Sequence, residues 1–210
     1  MNDKLTMDTK TKIGVLISGS GTNLQSIIDH IERGKLKAKL AIVISNKQEV
    51  YGLERARKHN IPTRVISHKD FKTREEFEEE IAKVLEEIGC DFIVLAGFMR
   101  VLTPSFIRRF KNRIVNIHPA LLPSFPGADA QKQAFDYGVK VTGCTVHFVD
   151  EGVDTGPIIL QKVVPVKDGD TVESLRARIL EEEHSALPEA LNLIINRQIR
   201  IEGRRVICNL

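Results

Sequence analysis

Ile13-Gly14-Val15-Leu16-Ile17-Ser18-Gly19-Ser20-Gly21-Thr22-Asn23-Leu24 is the stretch on which the fold turns. An apolar run, residues 13–17, gives way to a polar glycine loop and then to an amphipathic segment, residues 24–33, stopped by Gly34. That order reads as strand, turn and helix, the opening unit of a parallel α/β sheet. Glycines in such a loop let the backbone approach a ligand, and the helix N-terminus presents free N–H groups to an anion. No Gly-Lys-Ser or Gly-Lys-Thr follows, so this is not a Walker A loop. Leu24 stands where a dinucleotide fingerprint has its third glycine, and the second strand ends in Ser45-Asn46-Lys47 rather than in an acid for a ribose. A single phosphate suits the loop better than a pyrophosphate. A glycine turn with nothing bound is the plain alternative.

Outward from this unit, strand and helix patterns alternate. Residues 40–44 read as a strand, 52–59 as a helix and 62–66 as a third strand. Thr73 and Glu76 form a capping-box signature for a helix reaching Ile88, where Gly89 ends it. Residues 92–96 are continuously apolar, as a fully buried strand requires. Thr103-Pro104 caps a short helix over residues 105–110, and a strand carrying Asn116 and His118 follows. Residues 130–137 form a helix closed by Gly138. Two longer strands, 141–149 and 158–166, flank a Gly-rich loop. Thr171 and Ser174 open a long helix over residues 172–196, in which Pro188 predicts a break or kink. The tail around Glu202-Gly203-Arg204 reads as a small hairpin. The fold class is α/β: a single Rossmann-like, doubly wound, mostly parallel sheet with antiparallel additions in the C-terminal half.

At 210 residues the chain suits one domain with a substantial core. Hydrophobic content of 42% and charged content of 28% are those of a soluble globular protein. A net charge of +3 suits anionic small substrates but lacks the concentrated basic stripe of a nucleic-acid binder. Arg108, Arg109, Lys111 and Arg113 cluster, yet acidic runs at residues 78–80 and 181–183 balance them as solvated helix faces. Cys90, Cys144 and Cys208 stand far apart, which argues against a disulfide framework and a structural zinc site. The polar first eleven residues are neither signal peptide nor membrane segment, and no later stretch is long enough to span a bilayer. A cytoplasmic protein without bound metal is expected.

The chemistry is concentrated in Asn116-Ile117-His118-Pro119 and in Asp154, within Asp150-Glu151-Gly152-Val153-Asp154-Thr155-Gly156-Pro157. Alternation along a strand points Asn116 and His118 to the same face. Taken singly, a histidine before proline is more often a packed or capping residue, and an aspartate beside glycine an ordinary turn residue. Together, an amide and an imidazole offer donors to a developing oxyanion and a group that carries a proton. A carboxylate within a few ångströms would raise the histidine pKa and orient the ring. No Gly-x-Ser-x-Gly elbow or cysteine dyad is present, so the nucleophile should arrive with the substrate. Pro119, Pro123, Pro126 and Gly127 stiffen the loop that follows.

These motifs, with Leu95-Ala96-Gly97-Phe98-Met99-Arg100-Val101-Leu102, Asn116 to Pro123, and His147-Phe148-Val149 through Gly156-Pro157, resemble the phosphoribosylglycinamide formyltransferase family. The resemblance runs from Ile13 to about Ile195. It implies transfer of a formyl group from 10-formyltetrahydrofolate, as co-substrate, to the amine of glycinamide ribonucleotide in purine synthesis. By the same resemblance His118 stabilises the tetrahedral intermediate and moves a proton, and Asn116 donates to the same oxygen. Asp154 supports the charged form of His118 and assists the proton shuttle through water. Gly21, Thr22 and Asn23 match the loop that holds the substrate phosphate. Glu183 matches the carboxylate receiving the glycinamide amine; without the resemblance it reads as one more solvated acid. Met99, Arg100, Val101 and Leu102 match the lining of the pterin pocket, joined by Asn116, and Arg74 matches a folate contact. Asp129 and Gln131 stand where some relatives carry histidines, so no contact is carried over for that loop.

The resemblance also implies the domain plan: residues 1–11 a flexible tail, 12–200 the formyltransferase domain, 201–210 a C-terminal strand or tail packed on it. Formyltetrahydrofolate deformylase, with water replacing the amine, is the alternative on the same machinery. Eleven residues before the first strand leave no room for the regulatory domain of such relatives. The short hairpin after Asn196 likewise leaves none for the tRNA-holding domain of methionyl-tRNA formyltransferase. A non-catalytic nucleotide-binding module is the remaining alternative, and the intact Asn116, His118 and Asp154 set argues against it. Partners are therefore expected to be small molecules, with neither nucleic acid nor membrane, in a monomer or homodimer.

Overall fold

In β1 (Thr11–Ile17), Ile13, Val15 and Ile17 face one apolar layer while Leu16 faces another. A strand covered on both sides is what a near-continuous apolar run demands. The structure, a computed structural model, describes residues 10–208. After β1 come α1 (Thr22–Glu32), β2 (Ala38–Ser45), α2 (Tyr51–Lys58), β3 (Thr63–Val65), α3 (Arg74–Ile88), β4 (Phe92–Leu95), α4 (Pro104–Arg109) and β5 (Ile114–His118). They are followed by α5 (Ala130–Tyr137), β6 (Val141–Phe148), β7 (Ile158–Pro165), α6 (Val172–Ile195), β8 (Ile199–Glu202) and β9 (Arg205–Cys208).

Among the described residues the strands form one sheet in the order β3-β2-β1-β4-β5-β6-β7-β9-β8. Pairing is parallel from β3 through β5, then antiparallel from β5 to β6 and from β6 to β7. Apolar residues of α1, α2 and α6 cover one face, and those of α3 and α4 cover the other. The fold is thus the doubly wound, mostly parallel sheet with C-terminal antiparallel additions that the sequence predicts. The strand order reverses between β1 and β4, and ligands in open α/β sheets bind at such a switch point.

Local signals place the element ends. Thr73 and Glu76 make the expected capping box, and Gly89 closes α3 in a left-handed conformation at φ 71°. Gly21 sits at φ 70°, and a Cβ there would lie 2.6 Å from the Gly52 Cα. The Gly52 N–H donates to the Gly19 carbonyl at 3.1 Å, so the glycine loop is wedged against the start of α2. Only a glycine pair allows that approach.

Pro188 does not break α6, which runs as one element of 24 residues. The proline leaves the His184 carbonyl, four residues back, without its helical donor. The Ser26 hydroxyl on α1 donates to that carbonyl instead. Of the tail expected over residues 1–11, all but the last two residues lie outside the described residues, and Thr11 already pairs with Ala38. Residues 209 and 210 also lie outside them. β8 crosses the boundary expected at residue 200, and β9 pairs with β7, so the terminal hairpin extends the main sheet.

Candidate active site

Register brings the pieces to one edge of the sheet. Leu16 of β1 pairs with Leu95 of β4, and Leu95 pairs with Asn116 of β5. The glycine loop, the segment after β4 and the Asn116 strand end therefore line up at the carboxyl ends of three neighbouring strands. β6 runs antiparallel to β5 and sets His147 opposite Asn116. Asp154 projects from the β6–β7 loop with its own backbone left-handed at φ 54°. That loop folds tightly on β6: a Cβ on Gly156 would lie 1.8 Å from the Phe148 carbonyl oxygen.

Asp154 is the hub. Its Oδ2 lies 3.2 Å from His118 Nδ1 and accepts the Gly127 N–H at 2.8 Å. Its Oδ1 accepts from Asn116 Nδ2 at 3.4 Å and lies 3.6 Å from His147 Nε2. Asn116 Nδ2 also meets His147 Nε2 at 3.1 Å. His118 Nε2 faces the Phe125 carbonyl at 2.8 Å, and His147 Nδ1 faces the Phe148 carbonyl at 2.8 Å. A carbonyl only accepts, so both of those ring nitrogens carry hydrogen.

The protonated His118 ring satisfies both of its contacts, but the ring is buried. Burial pushes its pKa below the ordinary histidine value, and Asp154 and the Phe125 carbonyl recover only part of that. The sequence expectation of a raised value is therefore corrected: desolvation outweighs the carboxylate. Burial also pushes Asp154 up, yet His147, the Gly127 N–H and the His118 charge together hold it below the ordinary aspartate value. The Asp154–His118 contact is direct.

His147 is the site residue to which the sequence assigned no role. Its position alternates along β6, but facing Asn116 depends on an antiparallel register that sequence pattern does not report.

Glu183 is not a solvated acid. It is 7% exposed and accepts from Asn23 Nδ2 at 2.7 Å. Burial pushes its carboxyl up to about 6 against that hydrogen bond. Asn23 Oδ1 is buried without a hydrogen-bond partner. The Asn23 side chain thus serves Glu183, while its backbone, with Gly21 and Thr22, opens α1, where N–H groups lack helical acceptors. Arg55 Nε donates to the Ser20 carbonyl at 2.9 Å, which sets a guanidinium beside the same loop.

Residues 99–102 are pinned at both ends. The Ser18 hydroxyl accepts the Met99 N–H at 2.9 Å and donates to Asn46 at 2.7 Å. The Thr103 N–H reaches both oxygens of the buried Glu78 at 3.1 Å. Between those ties Met99 and Val101 are exposed, Arg100 is half-buried and Leu102 is buried. Arg74 is exposed in the first turn of α3, with its charge acting on Glu78. Asp129 makes an ion pair with Arg176 at 3.4 Å. Among the described residues no group of His, Cys, Asp and Glu could hold a metal ion.

An amide, two imidazoles and a carboxylate thus meet at the ends of β5 and β6, beside the switch point, with no serine or cysteine nucleophile among them. Residues 11–191 match the formyl transferase family, and the chain belongs to it. It is 44% identical over 191 residues to phosphoribosylglycinamide formyltransferase of Haemophilus influenzae, covering 91% of this chain and 90% of the relative. It is 51% identical over 199 residues to the trifunctional purine biosynthetic protein adenosine-3 of Bos taurus, covering 95% of this chain. The chain spans only 20% of that relative's length. Glycinamide ribonucleotide transformylase 1 from Symbiobacterium toebii superposes with a TM-score of 0.94 at 50% identity, covering 99% of this chain and 98% of that one.

Proposed function

We propose that the chain transfers the formyl group of 10-formyltetrahydrofolate to the amine of N1-(5-phosphoribosyl)glycinamide. The products are formyl-glycinamide ribonucleotide and tetrahydrofolate, a step of de novo purine synthesis. The observation that carries this reading is the Asp154 carboxylate in direct contact with His118 beside Asn116. The amine attacks the formyl carbon, and the charge on the formyl oxygen is met by Asn116 Nδ2 and by the His118 Nε2–H, which exchanges the Phe125 carbonyl for the substrate oxygen. The amine proton passes to the His118–Asp154 pair and on to the folate nitrogen as the carbon–nitrogen bond to folate breaks. His147 Nε2, 3.1 Å from Asn116 Nδ2, helps to position that amide.

Glu183 and the unpartnered Asn23 Oδ1 are adjacent acceptors, the right chemistry for an amine and its N–H groups. The N–H groups of Gly21, Thr22 and Asn23 suit the substrate phosphate. The exposed Met99 and Val101, with Arg100, Leu102, Arg74 and Asn116, suit a flat apolar ring carrying polar edges and an anionic tail.

No helix among the described residues is long and apolar enough to cross a membrane. A cytoplasmic monomer or homodimer without nucleic-acid partners completes the reading, in keeping with free thiols and a small net charge. The decisive test is absorbance of the folate product with and without glycinamide ribonucleotide. Turnover that needs the amine supports the transferase; equal turnover without it identifies a deformylase.

A further inference from the structure

We propose that Ser26 and Pro188 act as a pair that positions Glu183, and so set the affinity for the amine substrate without touching it. The proposal rests on the reading of Glu183 as the carboxylate that receives the amine. Proline has no N–H, so in α6 the carbonyl freed by Pro188 belongs to His184, the residue next to Glu183. Ser26 donates its hydroxyl to that carbonyl, and Asn23 donates to the Glu183 carboxylate at 2.7 Å. Asn23 and Ser26 are three apart on α1 and therefore share one face of it. Two consecutive residues of α6 are thus held by one turn of α1, one through its side chain and one through its backbone. Among the described residues Asn23 is the only hydrogen-bond partner of the Glu183 carboxylate. Rotation of the helix about its axis would carry the carboxylate away from the glycine loop. The Ser26 tie opposes that rotation, and it meets a carbonyl whose helical donor is missing because residue 188 is proline.

The test is steady-state kinetics on both substrates, with thermal unfolding, for Ser26→Ala, Ser26→Thr, Ser26→Ala/Pro188→Ala and Glu183→Gln. Ser26→Ala should raise KM for the ribonucleotide about tenfold, while the folate KM stays within about twofold. Ser26→Thr, which keeps the hydroxyl, should stay near wild type. Adding Pro188→Ala supplies an Ala N–H to the His184 carbonyl, so it should restore the melting temperature and leave the ribonucleotide KM raised. If it restores both, Ser26 merely satisfies a carbonyl and the proposal is overturned. Should Ser26→Ala fail to fold, the double variant is read on the same criterion: a wild-type ribonucleotide KM there overturns it. Glu183→Gln separates the two layers. An unchanged ribonucleotide KM in that variant sinks the reading of Glu183 and this proposal with it. A raised KM there, with Ser26→Ala unchanged, sinks the positioning role alone.

Discussion

Asp154 and Glu183 are both largely withdrawn from water, the first 14% and the second 7% exposed, yet they lie on opposite sides of the ordinary carboxylate range. The difference is in their donors. Asp154 has the Gly127 N–H, Asn116 and two imidazoles around its oxygens. Glu183 has Asn23. Burial penalises the charged form of each, and only a crowd of donors overcomes that penalty. The antiparallel end of the site is therefore built to keep a carboxylate charged, and the α1–α6 end to keep one waiting for a cation.

The largest expected effect comes from breaking the crowded end. His118→Ala removes the proton carrier and should lower kcat about 1,000- to 10,000-fold, with folate binding within a few-fold of wild type. Rapid-quench or steady-state rates check this. A folded variant with most of its activity would end the assignment. Asn116→Ala should cost about 100- to 1,000-fold in kcat through loss of one oxyanion donor, and any rise in KM should fall on the folate rather than on the ribonucleotide.

Asp154→Asn tests the electrostatic half. The carboxylate raises the His118 pKa, so the variant should lower it further below the ordinary histidine value. NMR titration of the ring in both proteins decides, and an unmoved value would mean that Asp154 acts by geometry alone.

Glu183 supplies the two smaller tests. With its carboxyl near 6, the ribonucleotide KM should rise as pH falls through that value, because the neutral acid no longer attracts the amine. Glu183→Gln should flatten that dependence and raise KM about 10- to 100-fold at neutral pH. Stability should move the other way. The native state keeps a proton that the unfolded chain has already released between the ordinary glutamate range and about 6. Stability of the wild type therefore falls as pH rises through that window and stays lower above it. Glu183→Gln should be more stable at neutral pH by at most about 2 kcal/mol, a melting gain of about 4–8 °C that vanishes in acid. Calorimetry across pH measures it, and a gain that persists in acid would refute the linkage.

Pro188 and Glu183 show where reading along the chain ran short. A proline mid-helix is rightly a warning, but whether the helix breaks depends on a donor from another element, and Ser26 lies 158 positions from the His184 carbonyl that it meets. Glu183 within an acidic run looks solvated until α1 is packed over it. His147 is legible as a strand residue and silent as a site residue, because its partner is set by pairing register. By contrast Thr73, Glu76, Gly89, Thr103, Pro104 and Gly138 act on backbone groups within a few residues, and the helices start and stop at them.

The sequence by itself determined the order and type of the elements, the glycine loop before α1 and the alternation that puts Asn116 and His118 on one strand face. These depend on backbone sterics and apolar period, which are local. Only the tertiary structure decided that Asp154 touches His118 directly, that His147 joins them, that burial lowers the His118 pKa, and that Asn23 spends its side chain on Glu183. Each of those follows from distance and desolvation between segments remote in the chain. No pattern within a segment encodes them, because water is excluded only once the layers have closed.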